Sequence, residues 1–213
     1  MANRPVFMAT DNKKLCQRFN VDFEYFSGFS VKQQQRCINS LHKSFSKIYP
    51  EKKVLEISSK SENEAGIRLS AFNLMINKNE KEYSVESAFQ GSKVFEKGGP
   101  YTDMLSMTSR QAKKDERLKN SGRIISFEYE GETFSTEPKT YFYNWLYINA
   151  LYSQPLLSEE IINFDAFTDI AFNPQKSINC QAEAAAIFVS LHRQGLLEEA
   201  LRDKEAFLRI VYS

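Results

Sequence analysis

Strand-like segments are few and scattered along this chain of 213 residues, whereas helix-like segments recur throughout it. Alternating and β-branched residues predict strands at 54–59 and 124–129, and the second turns through 130–132 into a short partner at 133–134. Apolar residues at helical spacing predict helices over 30–48, 84–96, 103–120, 140–152, 179–193 and 197–211. So few strands do not make a doubly wound sheet, and the pattern therefore predicts a helix-rich α+β fold with a small sheet.

The organisation of the chain favours a single domain over residues 1–213. It contains no internal repeat and no linker rich in proline and glycine, and hydrophobic residues make up 42% of it, enough for one sizeable core. We expect residues 1–50 to form an N-terminal helical extension packed on the rest. Within it, Ser30 and Gln33 predict a capping box, and one helical face carries Ile38, Leu41, Phe45 and Ile48.

Charge, cysteine usage and histidine placement restrict the function. A net charge of +1 provides no overall field for nucleic acid, so any such contact requires a local patch. We expect a cytoplasmic protein without membrane contacts, because polar residues begin too early for a signal peptide and no apolar run could span a bilayer. Three cysteines without CxxC spacing fit a reducing compartment. His42 and His192 lie far apart, so we expect no metal and no cofactor, and carboxylates and lysines become the candidate groups.

A polar stripe lies along the helix predicted over 84–96. Glu86, Gln90 and Lys93 follow one another at spacings of four and three residues, at the edge of an apolar arc. Ser84 is the expected cap of this helix and Gly98-Gly99-Pro100 its expected stop. A carboxylate, an amide and an amine at a core boundary can line a pocket, although a solvated helix face has the same pattern.

The stripe lies in a segment that resembles the signature of the NADAR family, whose YbiA-type members are N-glycosidases. The matching run is Val85-Glu86-Ser87-Ala88-Phe89-Gln90-Gly91-Ser92-Lys93-Val94-Phe95, and segments 56–60 and 69–73 resemble two further elements in the same order. Trp145, the only tryptophan, lies earlier than the late Trp-Gly element of YbiA-type members. The chain is more similar to the branch that accompanies DarT-type DNA ADP-ribosyltransferase toxins, the DarG-type antitoxins, through residues 55–61, 98–101, 143–147, 167–174 and 177–182.

This resemblance implies a NADAR/YbiA-like fold and a hydrolase that removes ADP-ribose from guanine bases of DNA, so that the protein acts as an antitoxin. The implied partners are ADP-ribosylated DNA or guanosine and a DarT-type toxin. Lys93 would form a Schiff base with the ribose, Glu86 would be the general acid and base, and Asp169 would be a second catalytic carboxylate. Lys60 is the competing lysine, and the other residues expected to bind the substrate are Ser70, Asn73, Gln90, Gly99, Tyr101, Trp145, Asn173 and Asn179.

Structural roles and other functions stay open beside this interpretation. Asp169, Ser70 and Asn73 also fit turns or caps, Gly99 fits a helix stop, and Trp145 fits a packed aromatic stripe. The alternatives to a DNA ADP-ribosyl hydrolase are a non-catalytic module that binds ADP-ribose or the toxin, and a YbiA-like N-glycosidase acting on a small metabolite.

One short segment is rich in cations, which Asp115 and Glu116 partly offset. Two interpretations are about equally good: an edge that contacts the phosphates of DNA, and a solvated helix face with ordinary charge pairs. The cations are Arg110, Lys113, Lys114, Arg117, Lys119 and Arg123.

Overall fold

The computed structural model describes the whole chain apart from residues 79, 176 and 213. Its contacts divide the chain into two compact units: the first unit comprises residues 1–70 and 154–213, and the second unit residues 71–153. Helices and small sheets occur in both units, which confirms the predicted α+β class. No helix within the described residues has the length and apolarity needed to cross a membrane.

The described elements are numbered here in chain order. The strands are β1 (Ala2–Ala9), β2 (Cys16–Phe23), β3 (Val54–Glu56), β4 (Met75–Lys78), β5 (Lys81–Ser84), β6 (Lys93–Phe95), β7 (Ile124–Tyr129), β8 (Glu132–Phe134) and β9 (Ala166–Thr168). The α-helices are α1 (Val31–Ser46), α2 (Glu64–Arg68), α3 (Val85–Gly91), α4 (Ser109–Lys114), α5 (Arg117–Asn120), α6 (Tyr141–Tyr152), α7 (Pro155–Ile161), α8 (Gln181–Arg193), α9 (Leu197–Leu201) and α10 (Lys204–Tyr212). A 3-10 helix, Thr102–Ser106, precedes α4.

The first unit is built on a four-stranded sheet in the order β2-β1-β9-β3. β1 is antiparallel to both β2 and β9, whereas β3 and β9 run parallel. Ser30 caps α1 by accepting a hydrogen bond from the backbone nitrogen of Gln33, and Ile48 is exposed because the helix ends before it. The apolar face of α1 packs on the sheet in a core of Val6, Val21, Phe23, Cys37, Leu41, Phe45 and Ala166.

The sequence pattern missed the two strands of residues 1–50. This segment supplies β1 and β2 as well as α1, so describing it as helical was incomplete. β1 pairs through Phe7 and Met8 with Phe167 and Ala166, residues far away along the chain. A strand that is stabilised by such distant pairing has no local signature, since its partner is absent from any short window of sequence.

The second unit contains a hairpin, β4–β5, and a three-stranded antiparallel sheet in the order β6-β7-β8. α6 forms where an aromatic helix was predicted. Its Phe142 stacks on Phe127 of β7 with ring centroids 4.8 Å apart, and Phe89 of α3 joins the same cluster at 5.6 Å from Phe127. This aromatic packing connects α3 to the sheet and to α6.

Three predicted helices differ from the structure. The helix predicted over 84–96 is wrong after Gly91, because residues 93–95 form β6 and pair with β7. The helix over 103–120 is interrupted, since Thr108 begins α4 as its cap and Asp115 accepts a hydrogen bond from the backbone of Arg117. The helix over 197–211 breaks where Asp203 accepts one from the backbone of Ala206. In the last two cases a polar side chain binds the backbone in place of a helical bond.

Candidate active site

The start of α3 places a carboxylate inside the second unit. Ser84 caps the helix by accepting a hydrogen bond from the backbone nitrogen of Ser87 at 3.0 Å. Glu86 therefore lies in the first turn, where the helix dipole favours a negative charge, and it is only 5% exposed. Its backbone nitrogen donates to the carbonyl oxygen of Ala71 at 2.9 Å. The position of this buried carboxylate is thus fixed by both the cap and the backbone.

A chain of hydrogen bonds connects Glu86 to Lys93. The amide nitrogen of Gln90 donates to Glu86 Oε1 at 2.9 Å, and the Lys93 amine donates to Gln90 Oε1 at 2.6 Å. On the other side, the Lys113 amine lies 3.5 Å from Glu86 Oε1. Gln90 is buried, and it holds a carboxylate at one end of its amide and an amine at the other. The three residues of the predicted stripe therefore meet in space.

The environment of Lys93 makes its amine easier to deprotonate than a surface lysine. Burial lowers the pKa of Lys93 to about 8, although the charge of Glu86 raises it, and the charge of Lys113 lowers it further. The amine also lies 4.7 Å from the ring centroid of Phe89. A pKa near 8 leaves roughly a tenth of the amine neutral at neutral pH, whereas an ordinary lysine has less than about 0.1%. Only the neutral amine is a nucleophile.

Lys93 reaches this position from a strand, which corrects the helical placement expected from the sequence. Ser92 ends α3, and its hydroxyl donates to the carbonyl oxygen of Ala88 at 2.7 Å. Lys93 then pairs with Phe127 as the first residue of β6. The backbone of Gly99 approaches this strand so closely that no side chain fits there: its φ is +88°, and a Cβ would lie 2.3 Å from the carbonyl oxygen of Lys93. Gly99 is therefore a point of close backbone approach and not a helix stop.

Lys60, the competing lysine, lies in the first unit in a different environment. It follows β3 in a loop, it is half-buried, and its amine contacts the Ser59 hydroxyl at 3.1 Å. This contact is with a neutral hydroxyl at the surface, whereas Lys93 is held in a chain that ends at a buried carboxylate. The contrast favours Lys93 as the nucleophile.

A second cluster, in the first unit, gathers two acidic side chains at the ends of β3 and β9. The register of these parallel strands pairs Glu56 with Thr168. Glu56 Oε2 accepts a hydrogen bond from the Thr168 hydroxyl at 2.6 Å, and Oε1 accepts one from the backbone nitrogen of Ile170 at 2.9 Å. Asp169, between these two residues, accepts from the backbone of Ala171 and from the side chain of Gln181, both at 3.0 Å.

Burial shifts the protonation of this acidic cluster. It raises the pKa of Glu56, and together with the charge of Glu56 it raises the pKa of Asp169 to about 7. Because the Thr168 hydroxyl gives its one proton to Glu56, His42 Nε2 donates to the Thr168 oxygen at 2.8 Å, and burial lowers the pKa of His42 to about 4. Burial also holds the pKa of the adjacent Cys180 thiol well above its usual range. Sequence reasoning quoted Glu56 only as part of a motif and did not select it as a site residue.

Three of the residues expected to bind substrate lie in the second unit, and two of them have structural contacts there. The Tyr101 hydroxyl lies 2.6 Å from the Ser121 hydroxyl. The guanidinium carbon of Arg117 lies over the Tyr101 ring, 4.5 Å from the ring centroid. Trp145 packs on Phe134 with ring centroids 4.8 Å apart, and its buried indole nitrogen has no hydrogen-bond partner. Asn73 is exposed. Trp145 thus fits the packed aromatic stripe that was the structural interpretation.

The other three lie in the first unit. Ser70 is buried next to the end of α2, with its backbone nitrogen bonded to the carbonyl oxygen of Ile67. Asn173 caps a turn by accepting from the backbone of Gln175 at 3.0 Å. Asn179, just before α8, has a buried side-chain oxygen without a hydrogen-bond partner. An unsatisfied buried acceptor is uncommon in a folded protein and is compatible with a role in binding.

The basic segment separates into paired and unpaired cations. Arg117 is held by Asp103 at 2.7 Å and by Asp115 at 2.8 Å, and Arg123 by Glu96 at 2.7 Å. Lys113 contacts Glu86. Arg110, Lys114 and Lys119 are exposed, and no carboxylate lies within 4.0 Å of their charged atoms among the described residues.

In the part of the chain that the structure describes, no group of three or more histidine, cysteine, aspartate or glutamate side chains is arranged to hold a metal ion.

A family model described as DarT1-associated NADAR antitoxin matches residues 2–213. No curated protein matches the chain.

Proposed function

The chain belongs to the family of DarT1-associated NADAR antitoxins, and from this premise we propose that it hydrolyses the bond between ADP-ribose and a guanine base of DNA. The observation that carries the proposal is the chain of hydrogen bonds from Lys93 through Gln90 to Glu86. It joins an amine of lowered pKa to a buried carboxylate, and both groups are needed to exchange one amine for another at a glycosidic carbon.

The chemistry begins with the aminal that links the exocyclic guanine amine to C1 of the ribose. The bond from C1 to the ring oxygen breaks, the oxygen takes the N–H proton of the guanine amine, and C1 becomes a neutral imine of that amine. Neutral Lys93 adds to C1, and Glu86 carries the two protons of the lysine nitrogen, one after the other, to the guanine nitrogen. The guanine then departs with its amine restored, and C1 stays bonded to Lys93 as a neutral Schiff base.

Water completes the cycle. Glu86, now a carboxylate again, moves one proton to the lysine nitrogen from the water that adds to C1 of the Schiff base. It then moves the proton of the new C1 hydroxyl to the same nitrogen as the bond from C1 to nitrogen breaks, which restores the neutral amine. The ring hydroxyl adds to the resulting C1 carbonyl and closes the ribose. The products are ADP-ribose and an intact guanine. Gln90 positions both partners throughout, since its amide oxygen accepts from Lys93 while its amide nitrogen donates to Glu86.

We propose that Asp169, which lies beside Glu56, is the second carboxyl group that acts on the substrate. A carboxyl group whose pKa is about 7 can donate a hydrogen bond to a hydroxyl or phosphate oxygen near neutral pH and can accept one when ionised. The toxin-associated family supports a DarT-type toxin as the source of the modified DNA.

The test uses a guanine-ADP-ribosylated DNA oligonucleotide and mass analysis of both products and protein. We expect loss of one ADP-ribose from the DNA with the guanine intact. Reduction with borohydride during turnover should attach the sugar irreversibly to the peptide that contains Lys93, because it converts the Schiff base to a secondary amine. Binding of ADP-ribose without any release would show a non-catalytic module instead, and release without an adduct on Lys93 would contradict the assigned nucleophile.

A further inference from the structure

The outer face of α4 carries a pair of cations that pair with no carboxylate among the described residues. Arg110 and Lys114 are four residues apart, so they project from one side of the helix. They line a concavity of about 500 Å³, together with Met107, Gln111 and Asp115. Its one acidic side chain, Asp115, is already bonded to Arg117 through both oxygens at 2.9 and 2.8 Å.

This concavity is attached rigidly to the helix that carries Glu86. Ser109, the first residue of α4, donates to the Ser84 hydroxyl at 2.7 Å, and Ser84 is the cap of α3. The Ser87 hydroxyl of α3 donates to the carbonyl oxygen of Met107 at 3.1 Å. Lys113, adjacent to Lys114 on α4, lies 3.5 Å from Glu86 Oε1. One short helix therefore presents a cation to the candidate active site and two more to the neighbouring concavity.

We propose that Arg110 and Lys114 form a phosphate-binding site that holds the substrate while its glycosidic bond lies at Lys93 and Glu86. The guanidinium of Arg110 can donate two parallel hydrogen bonds to one phosphate, and the ammonium of Lys114 adds a mobile point charge. Met107 supplies an apolar wall, and Gln111, whose amide oxygen accepts from Thr108, supplies an amide donor. The site rests on the proposed function for its substrate.

Two parts of that substrate carry the phosphate chemistry that this site would recognise. One is the phosphodiester backbone of the DNA, and the other is the pyrophosphate of ADP-ribose. Both are oxyanions that paired cations bind, and both interactions weaken as salt increases. The experiment distinguishes them by offering each alone.

The test measures binding, so it does not depend on turnover. The probes are an unmodified single-stranded guanine-containing oligonucleotide and free ADP-ribose, each titrated at two salt concentrations. The variant is Arg110→Ala/Lys114→Ala. Its matched control is Lys97→Ala/Lys139→Ala, which removes two exposed charges of the same unit that do not line the concavity.

We expect the Arg110→Ala/Lys114→Ala variant to bind one probe roughly tenfold more weakly than the control does, with a salt dependence reduced by about one unit of slope. Weaker binding of the oligonucleotide would assign the site to DNA phosphates, and weaker binding of ADP-ribose to the pyrophosphate. The exchange Arg110→Lys/Lys114→Arg keeps both charges and should recover most of the binding. Equal binding of both probes by variant and control would overturn the site. A wild type that binds a probe through this site without hydrolysing modified DNA would refute the proposed function alone.

Discussion

The polar cluster of Glu86, Gln90 and Lys93 and the acidic cluster of Glu56 and Asp169 differ in the groups that surround their carboxylates. In the second unit, Glu86 is buried next to cations: Lys113 lies 3.5 Å from its carboxylate, and Lys93 is joined to it through Gln90. In the first unit, Glu56 and Asp169 are both acidic, and the described groups that bond to them are neutral donors from backbone and side chains. The cluster in the second unit therefore contains both acidic and basic groups, whereas the charged groups of the cluster in the first unit are both acidic.

The difference shows which group each cluster makes reactive near neutral pH. In the second unit, the opposite charge of Glu86 raises the pKa of Lys93, but burial has the larger effect and lowers that pKa to about 8. In the first unit, burial and then the like charge of Glu56 raise the pKa of Asp169 to about 7. The half-buried amine of Lys93 thus loses its proton more easily than a surface lysine does, and Asp169 keeps its proton to a higher pH than a surface aspartate does.

Removing the proposed nucleophile, Lys93, should have the largest effect. We expect Lys93→Met to lower turnover by at least about a thousandfold and to abolish the borohydride-trapped adduct. The fold should change little: methionine fills a similar volume, and the gain from removing a half-buried charge is offset by the lost hydrogen bond to Gln90, so the free energy of unfolding should change by no more than about 1 kcal/mol.

Single-turnover assays and thermal melting check both parts of this prediction. Lys97→Met, at an exposed lysine of the same unit, is the matched control for the charge and the side chain. If an adduct still formed in Lys93→Met but disappeared in Lys60→Met, the nucleophile would be Lys60, and the comparison between the clusters would lose its functional meaning.

Removing the carboxylate of Glu86 should have the next largest effect. Glu86→Gln keeps a side chain of the same shape but cannot exchange protons, so we expect turnover to fall by about a hundredfold or more. Because the charge of Glu86 raises the pKa of Lys93, the same change should lower that pKa further below 8. The rate at which an amine-specific reagent labels Lys93, measured against pH, reports this shift. Glu96→Gln removes an exposed carboxylate paired with Arg123 and should alter neither quantity; an unchanged labelling profile in Glu86→Gln would show that the two groups are not coupled.

The linking amide provides a smaller and sharper test. Gln90→Leu removes both hydrogen bonds, because it replaces the amide with an apolar side chain of similar size. We expect turnover to fall by about tenfold. Gln90→Glu keeps an acceptor for Lys93 but adds a negative charge, so the pKa of Lys93 should rise and the activity optimum should move to higher pH. A pH–rate profile measures the shift. An optimum that did not move, or that moved to lower pH, would contradict the role assigned to this contact.

The acidic cluster should affect stability more than turnover. Asp169 has a pKa of about 7 in the folded protein against 3.8 ordinarily, so the folded state binds an extra proton in this window and loses stability as pH rises through it. His42, whose pKa falls from 6.5 to about 4, contributes the opposite trend between those values. The decrease in stability should therefore be clearest from pH 6.5 to about 7.5, above the titration of His42 and below that of Lys93, whose lowered pKa gives the opposite trend at higher pH.

Glu56→Gln tests this stability prediction. Glutamine can accept from the backbone of Ile170 and donate to the Thr168 hydroxyl, so the hydrogen bonds of the cluster can be kept. We expect the variant to be more stable than wild type by about 1–2 kcal/mol at mildly alkaline pH, and this advantage should shrink as pH falls. Chemical denaturation at several pH values measures it. A variant that is less stable than wild type at every pH would show that the charge of Glu56 itself supports the fold.

The sequence predicted the composition of the candidate active site better than its geometry. Glu86, Gln90 and Lys93 were selected as one helical stripe, and the first two do lie on α3. Lys93 lies on β6 instead, because its backbone pairs with Phe127 of β7, and helical periodicity carries no information about a distant strand. Glu56 was missed as a site residue for a related reason: its neighbour Thr168 is 112 residues away.

Local interactions explain what the sequence determined by itself: the helix-rich α+β class, the caps Ser30 and Ser84, and the helices α1, α6 and α8, whose signals lie within a few turns of chain. Only the tertiary structure decided the rest. It added β1, β2 and β9 through pairing between distant segments, and it set the protonation of Lys93 and Asp169 through burial. Pairing and desolvation depend on what surrounds a residue in space, and no pattern of neighbouring residues records that.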